Sequence, residues 1–341
     1  MARVVQIGAS RNTRGGVTAV LKSWENSEIW HKYGCDWLET QDNRGVLFKL
    51  YYLFRSFFIA LWLIPKSDIA HFHTVPGMSI IVQMPIFLLC LLFKKRIVIQ
   101  LHVGNQIVGH KDDILFKWVL KKADKIVVLA YIWKDLLLTH FDVPQEKVSV
   151  IYNAAPDVKC SEDKAKYVLF MAYLVKNKGY DILIKAFSQI SNDYPDWNLI
   201  IAGTGEMDKA RELAKKYGVE DKIVFKDWVT GATKDNLWKH AGAYCMASYQ
   251  EGFPMTVLEA WSYGTPLITT PVGGLPDVIR NRENALVFDF GDVAGLANCF
   301  SLLFSSDILQ RSLSEASVKL AKTAFSIEHI AKDIERLYES L

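Results

Sequence analysis

Residues 251–259 read EGFPMTVLE, a glutamate at each end with Gly252 and Pro254 between them. On one continuous helix the two acids would lie about 12 Å apart along the axis and some 80° apart around it. Proline fits the first turn of a helix, where its missing N–H is no loss. The spacing therefore predicts a helix that begins near Pro254 and ends before Gly264, a good terminating residue. Glu251 then sits on the loop before the helix and Glu259 more than one turn inside it. Between them, the backbone N–H groups of Met255, Thr256 and Val257 lack intrahelical partners and form an anion site. An acid on each side of a phosphate pocket suits hydroxyl hydrogen bonds, one to a sugar and one to a ribose. Two glutamates alone are as well explained by a solvated loop acid and a helix-surface acid.

Outward from this stretch the chain alternates strands and helices. Arg3–Ile7, Ile69–His73, Arg96–His102, Lys125–Leu129 and Val148–Tyr152 read as strands. Helical patterns follow Gly15-Gly16, occupy 46–64 and 78–93, and recur near 112–122 and 131–140. The polar run Asn153–Lys166 reads as a linker. The alternation then restarts, with strands at Lys166–Met171, Trp197–Ala202, Ile223–Phe225, Ala243–Met246 and Pro266–Thr269. Helices are predicted near 178–190, 206–217, 233–240, 255–263 and 292–304, and the end of the chain is amphipathic. Such alternation implies parallel sheets covered on both faces, and 341 residues suit two domains. The boundaries predicted are 1–157, 158–325 and a final helix, 326–341, packing back on the first domain.

Composition narrows the classes. A net charge of +3 gives no nucleic-acid footprint. Five scattered cysteines (Cys35, Cys90, Cys160, Cys245, Cys299) show no metal spacing and suit a reducing cytoplasm. The opening MARVVQIGAS runs straight into a strand without a signal peptide. Two apolar segments, Val46–Ile64 and Met78–Phe93, leave two readings open. They are helices buried in the first domain, or a monotopic membrane surface flanked by Lys94-Lys95-Arg96 and Lys121-Lys122.

The longer run EGFPMTVLEAWSYGTPLITTPVGGLPDVI resembles the retaining glycosyltransferases of family 4. Their E-x7-E motif, the following EA-x-x-x-G-x-P and a Gly-Gly loop with an acid are matched by Glu251, Glu259-Ala260, Gly264, Pro266, Gly273-Gly274 and Asp277. The resemblance implies the GT-B fold, two Rossmann-like doubly wound α/β domains facing across a cleft. It implies that Glu251 meets donor sugar hydroxyls, Glu259 the ribose, and the backbone from Gly252 and Phe253 through Pro254, Met255, Thr256 and Val257 the sugar and diphosphate. RGGVTAV is similar to the family's first glycine loop, placing Gly15 and Gly16 near the diphosphate. IAGTGEM puts Gly203 and Gly205 near the nucleotide. DIAHFHT and IQLHVGN place His102 near the reacting centre, with His73 and Asn105 on the acceptor side. Asn153 in VIYNAAPD reads as a turn residue.

The match breaks where the family carries G-R-L-x-x-x-K-G. Residues 172–179 read AYLVKNKG, so Lys178 stands in place but Tyr173 replaces the arginine. A tyrosine offers one neutral hydroxyl instead of a five-donor fork, which leaves three readings: Lys178, Lys176 or Arg14 neutralises the diphosphate, the tyrosine reshapes the pocket for an unusual donor, or catalysis is feeble. The implied activity is retaining sugar transfer from a nucleotide diphosphate sugar, a UDP-sugar before a GDP-sugar, to a glycan or lipid-linked glycan in bacterial surface polysaccharide synthesis. Catalysis falls to His102, Lys178 and Glu251. No cofactor or metal is expected, since the chain has no Asp-x-Asp motif. The expected location is cytoplasmic, at the inner membrane face if the monotopic reading holds. Alternatives are a non-catalytic nucleotide-sugar-binding subunit and a nucleotide-sugar epimerase. An NAD-dependent oxidoreductase is disfavoured, since IGASRNTRGG lacks GxGxxG spacing.

Overall fold

The computed structural model describes residues 2–42, 44–161 and 163–341; one residue of the predicted linker, Glu162, lies outside them. The chain divides into an N-terminal unit, 1–154 with 327–341, and a C-terminal unit, 155–326.

The N-terminal unit runs β1 (Val4–Ala9), α1 (Gly16–Glu25), α2 (Glu28–Lys32), β2 (Asp36–Gln41), α3 (Val46–Leu63), β3 (Ile69–Thr74), α4 (Met78–Leu92), β4 (Arg96–Leu101), α5 (Gln106–Gly109), α6 (Ile114–Lys122), β5 (Lys125–Val128), α7 (Tyr131–His140) and β6 (Val148–Val150). Its sheet has the order β2-β1-β3-β4-β5-β6, and all its pairings are parallel among the described residues. β2, DWLETQ, was not among the expected strands. Its charged and polar positions hide it as an edge strand, while Trp37 and Leu38 are buried.

The C-terminal unit runs β7 (Ala165–Leu174), α8 (Tyr180–Ile190), β8 (Asn198–Gly205), α9 (Met207–Lys216), β9 (Ile223–Lys226), α10 (Gly231–His240), β10 (Ala241–Met246), α11 (Met255–Ser262), β11 (Leu267–Thr269), β12 (Leu286–Val287), α12 (Val293–Phe304) and α13 (Asp307–Lys322). The order β12-β11-β10-β7-β8-β9 is doubly wound, with its topological switch point between β7 and β10. β12 and α13 also went unread. β12 is two residues long, and α13 presents mostly polar residues. The core of this unit joins the aliphatic faces of β7, β8 and β10 to α8 and α12, including the stacked pair Trp197 and Phe304.

The last helix, α14 (Ile327–Glu339), belongs to the N-terminal unit. Ile330, Ile334, Leu337 and Tyr338 form its buried stripe, spaced as an amphipathic helix requires. Tyr338 packs edge-on against Tyr33, and Lys32 pairs with Glu335.

The two apolar helices do not share one fate. α4 buries Ile80, Ile86, Phe87 and Cys90. In contrast, only 28% of the apolar window of Leu47–Lys66 is buried. The buried-helix reading is therefore wrong for α3. Leu47, Leu50, Tyr51, Phe54, Phe58, Leu61 and Trp62 form an exposed stripe at helical spacing.

Candidate functional site

In the C-terminal unit, ligand crevices of an open α/β sheet form outside the carboxyl ends of the strands at the switch point. β7 and β10 end there, and the loops after them carry Lys178 and Glu251. Lys178 Nζ donates to Glu251 Oε1 at 2.6 Å, and Ser248 Oγ donates to the same oxygen at 2.7 Å. Only 25% of the Lys178 side chain and 17% of Glu251 is exposed. Removing one member would leave the other's charge poorly solvated.

The loops are clamped by backbone contacts. Tyr249 N–H donates to Asn177 O at 2.7 Å. Gly179 has φ 73°, and a Cβ there would lie 2.1 Å from Ala247 O, so only glycine closes the turn after Lys178. The Gly273-Gly274 loop supports the other side, with Gly274 N–H donating to Gly252 O at 2.8 Å. Gly203 and Gly205 serve the sheet itself. Side chains there would meet Ala172 O at 1.8 Å and Leu174 O at 2.3 Å on the paired strand β7.

α11 starts at Met255, with Pro254 as an N-cap that offers no side-chain hydrogen bond. Val257 does not join the predicted anion site. Its N–H bonds to Pro254 O at 3.1 Å, and its side chain is fully buried. The first turn closes as soon as residue 257 reaches back three positions, leaving Met255 and Thr256 as the amide donors of the helix start. Burial separates this stretch cleanly. Phe253, Pro254, Val257 and Leu258 face the core, whereas Glu251, Gly252, Met255, Thr256 and Glu259 remain partly open.

Glu259 has a partner that sequence reasoning missed. Lys234, on α10, donates to Glu259 Oε1 at 2.5 Å. The other oxygen, Oε2, is buried and has no hydrogen-bond partner. A buried carboxylate oxygen without a donor is costly, and a ligand hydroxyl would relieve it. Nothing in a separation of 25 residues between two different helices signals the Lys234 contact. Tyr173, at the end of β7, is 58% exposed.

In the N-terminal unit, Gly15 caps α1 with φ 156° and open space where its Cβ would be, and Gly16 opens the helix. Asn105 is exposed and caps the short α5. His73 and His102 are brought together, His73 Nδ1 lying 2.9 Å from His102 Nε2. His73 Nε2 contacts Gln6 Oε1 at 2.9 Å. His71 stacks on His73 with ring centroids 4.6 Å apart, and its Nδ1 lies 2.7 Å from Tyr338 Oη. Burial depresses all three imidazoles: His71 and His102 fall to about 3, and His73 falls well below the usual value. Neither Gln6, His71 nor Gln100 was singled out from the sequence. The signal was present as polar residues at alternate strand positions, in VVQIG, IAHFHT and IVIQLH.

Among the described residues, no group of three or more His, Cys, Asp or Glu side chains could hold a metal ion.

Residues 154–320 match the family model for glycosyl transferases group 1. An uncharacterized glycosyltransferase of Methanocaldococcus jannaschii is 31% identical over 180 residues, covering 48% of this chain and 46% of that protein. Mannosylfructose-phosphate synthase of Agrobacterium fabrum is 31% identical over 185 residues, covering 52% of this chain and 41% of that one. The chain thus spans about half the length of the curated relatives it matches. Among solved structures, Anabaena HepE in complex with UDP and glucose aligns over 100% of both chains, with a TM-score of 0.80 at 15% identity. The architecture is therefore that of the GT-B fold, two Rossmann-like domains.

Proposed function

Proceeding from a group 1 glycosyl transferase segment at residues 154–320, we propose that the protein is a retaining glycosyltransferase of family 4 using a UDP-sugar donor. The Lys178–Glu251 pair at the switch point carries this reading. Without donor, Glu251 neutralises Lys178. When a donor arrives, Lys178 turns to the diphosphate and Glu251 takes sugar hydroxyls. The N–H groups of Met255 and Thr256 add donors for the charge that builds on the departing diphosphate. The spare Oε2 of Glu259 takes a ribose hydroxyl. The leaving phosphate accepts the acceptor's proton, so no second carboxylate and no metal is needed, and a chelator leaves the rate unchanged. The UDP preference draws support from HepE, whose structures hold UDP and UDP-glucose.

The acceptor in this reading is a lipid-linked glycan of bacterial surface polysaccharide synthesis, reached from the cytoplasmic face. The exposed stripe of α3 supports it. Every charged residue from Arg44 to Ser67 and from Val75 to Arg96 is basic. Lys66 lies 3.5 Å from the centre of the Trp62 ring, while Arg55 is tied to Glu39 on β2. An apolar stripe edged by cations suits an anionic bilayer surface. Replacing Phe54, Phe58 and Trp62 by serine should abolish co-sedimentation with phosphatidylglycerol vesicles. Retained binding would remove this part of the proposal.

Tyr173 favours a second reading, a non-catalytic nucleotide-sugar-binding subunit. Thermal shift with UDP-, GDP- and ADP-glucose, followed by product analysis, separates the readings. A UDP-sugar should raise Tm by mass action, and the transferred sugar should keep its anomeric configuration. Binding without transfer or hydrolysis would leave the subunit, and donor conversion without acceptor would identify an epimerase.

A further inference from the structure

Gln6 on β1, His71 and His73 on β3, Gln100 on β4 and His102 just beyond it occupy matching positions on one face of the N-terminal sheet. Strands buried on both faces ordinarily carry aliphatic residues there. Gln6, His71, His73 and Gln100 are instead all at least 99% buried, so their hydrogen bonds are constrained by the donors and acceptors within reach.

With the Gln6 amide oxygen facing His73 and its nitrogen facing Tyr338, those constraints set one direction. Gln6 Oε1 can only accept, so the proton in its 2.9 Å contact belongs to His73 Nε2. A neutral imidazole has one N–H, which makes His73 Nδ1 an acceptor. The 2.9 Å contact between His73 Nδ1 and His102 Nε2 is then donated by His102. On the other side, Gln6 Nε2 donates to Tyr338 Oη at 2.9 Å, and the tyrosine O–H donates to His71 Nδ1 at 2.7 Å. Two flanking groups keep their protons and add no charge. Burial pushes the Cys35 thiol up to about 11 and raises the Tyr338 phenol. Turning the Gln6 amide over would reverse every proton in the chain.

We infer that this relay, anchored by Tyr338 of the last helix, holds His102 as the Nε2–H tautomer, so that His102 offers only a lone pair at Nδ1. No protein group among the described residues bonds to that nitrogen. It accepts the O–H of a sugar hydroxyl and offers nothing to a phosphate oxygen. Gln6, His73 and Tyr338 are positioning residues, acting through His102. The choice of a sugar as ligand rests on the transferase reading; the tautomer does not.

Long-range proton–nitrogen correlation spectra of the full chain, labelled with ¹⁵N-histidine and assigned with His73→Asn and His102→Asn variants, read the tautomers directly. His73 and His102 should both appear as Nε2–H at pH 7. Nδ1–H on His102, or an imidazolium, would overturn the relay whatever the protein's activity. Gln6→Leu removes the acceptor and should convert His102 to a tautomer mixture. It should also weaken UDP-glucose binding about three- to ten-fold while leaving UDP binding unchanged. Equal loss for UDP and UDP-glucose, or no loss, would overturn the hydroxyl assignment even with the tautomer intact. If Gln6→Leu does not fold, Tyr338→Phe keeps the ring in place and removes only the hydroxyl between Gln6 and His71. An unchanged His102 spectrum in that variant would exclude the last helix from the relay.

Discussion

The two units solve the problem of polar side chains at strand ends in opposite ways. The C-terminal unit uses charges, Lys178 with Glu251 and Lys234 with Glu259, each partly open to solvent. The N-terminal unit uses neutral groups, two histidines and two glutamines sunk into the sheet, with His102 partly buried just beyond it. Charges are worth keeping where an anion must dock, because a nearby carboxylate can release a lysine when phosphate arrives. A neutral, fixed tautomer is worth keeping where a hydroxyl must be read, because a mobile proton would blur donor and acceptor.

The comparison breaks first under acid. Each histidine of the cluster has a native pKa far below the value near 6.5 of the unfolded chain. Between those values the unfolded state binds more protons, so stability is complete above pH 6.5 and is lost as pH falls toward the depressed native values. From pH 7 to 5.5 the loss should be a little over ~1 kcal/mol per histidine, which for the three makes just under ~4 kcal/mol. Urea unfolding at the two pH values measures it. The C-terminal unit holds one histidine, His240, which is only partly buried, and its transition should barely move. Equal shifts in both units would refute a neutral buried cluster.

How far the sequence reached differs between the units in the same way. The charged site was legible in its outline because glycine and proline mark loops and helix starts locally. EGFPM places Glu251 before a helix, and NKG places Lys178 before a turn. What was not legible depends on tertiary approach: Lys234 beneath Glu259 and the 2.6 Å closure of Lys178 on Glu251. The buried cluster was half legible. His73 and His102 drew attention as strand-end residues, but their partners Gln6 and Tyr338 are 332 residues apart, and only the folded last helix joins them. The exposure of α3 was one of two readings that the sequence left open. A helix apolar on every side reads the same whether its outer face meets protein or lipid.

The second test bears on the charged site alone. Lys178→Ala removes the donor proposed for the diphosphate and strands Glu251. Turnover should fall about 10²- to 10³-fold, as for loss of one preorganised donor to developing charge, with UDP-sugar binding reduced less. Glu251→Ala should act in the same sense through sugar positioning. A Lys178→Ala enzyme of normal rate would move charge stabilisation to Lys176.

The smallest expected effect is the most discriminating within that unit. Glu259 has one oxygen bound to Lys234 and one without a partner. Glu259→Ala removes both and should weaken UDP about 10- to 100-fold, the range for a hydrogen bond to a charged group, with kcat little changed. Glu259→Gln keeps an oxygen but must present its NH2 either to Lys234 or to the ligand. The ammonium tolerates only the oxygen, so the amide N–H is forced toward the ribose. A ribose hydroxyl can accept from that N–H, so Gln should recover part of the loss. Lys234→Met frees the carboxylate to rotate and should cost less affinity than Glu259→Ala, because an acceptor for the ribose survives. If Lys234→Met instead matched Glu259→Ala, the lysine would itself be a ligand contact and the spare oxygen an incidental one.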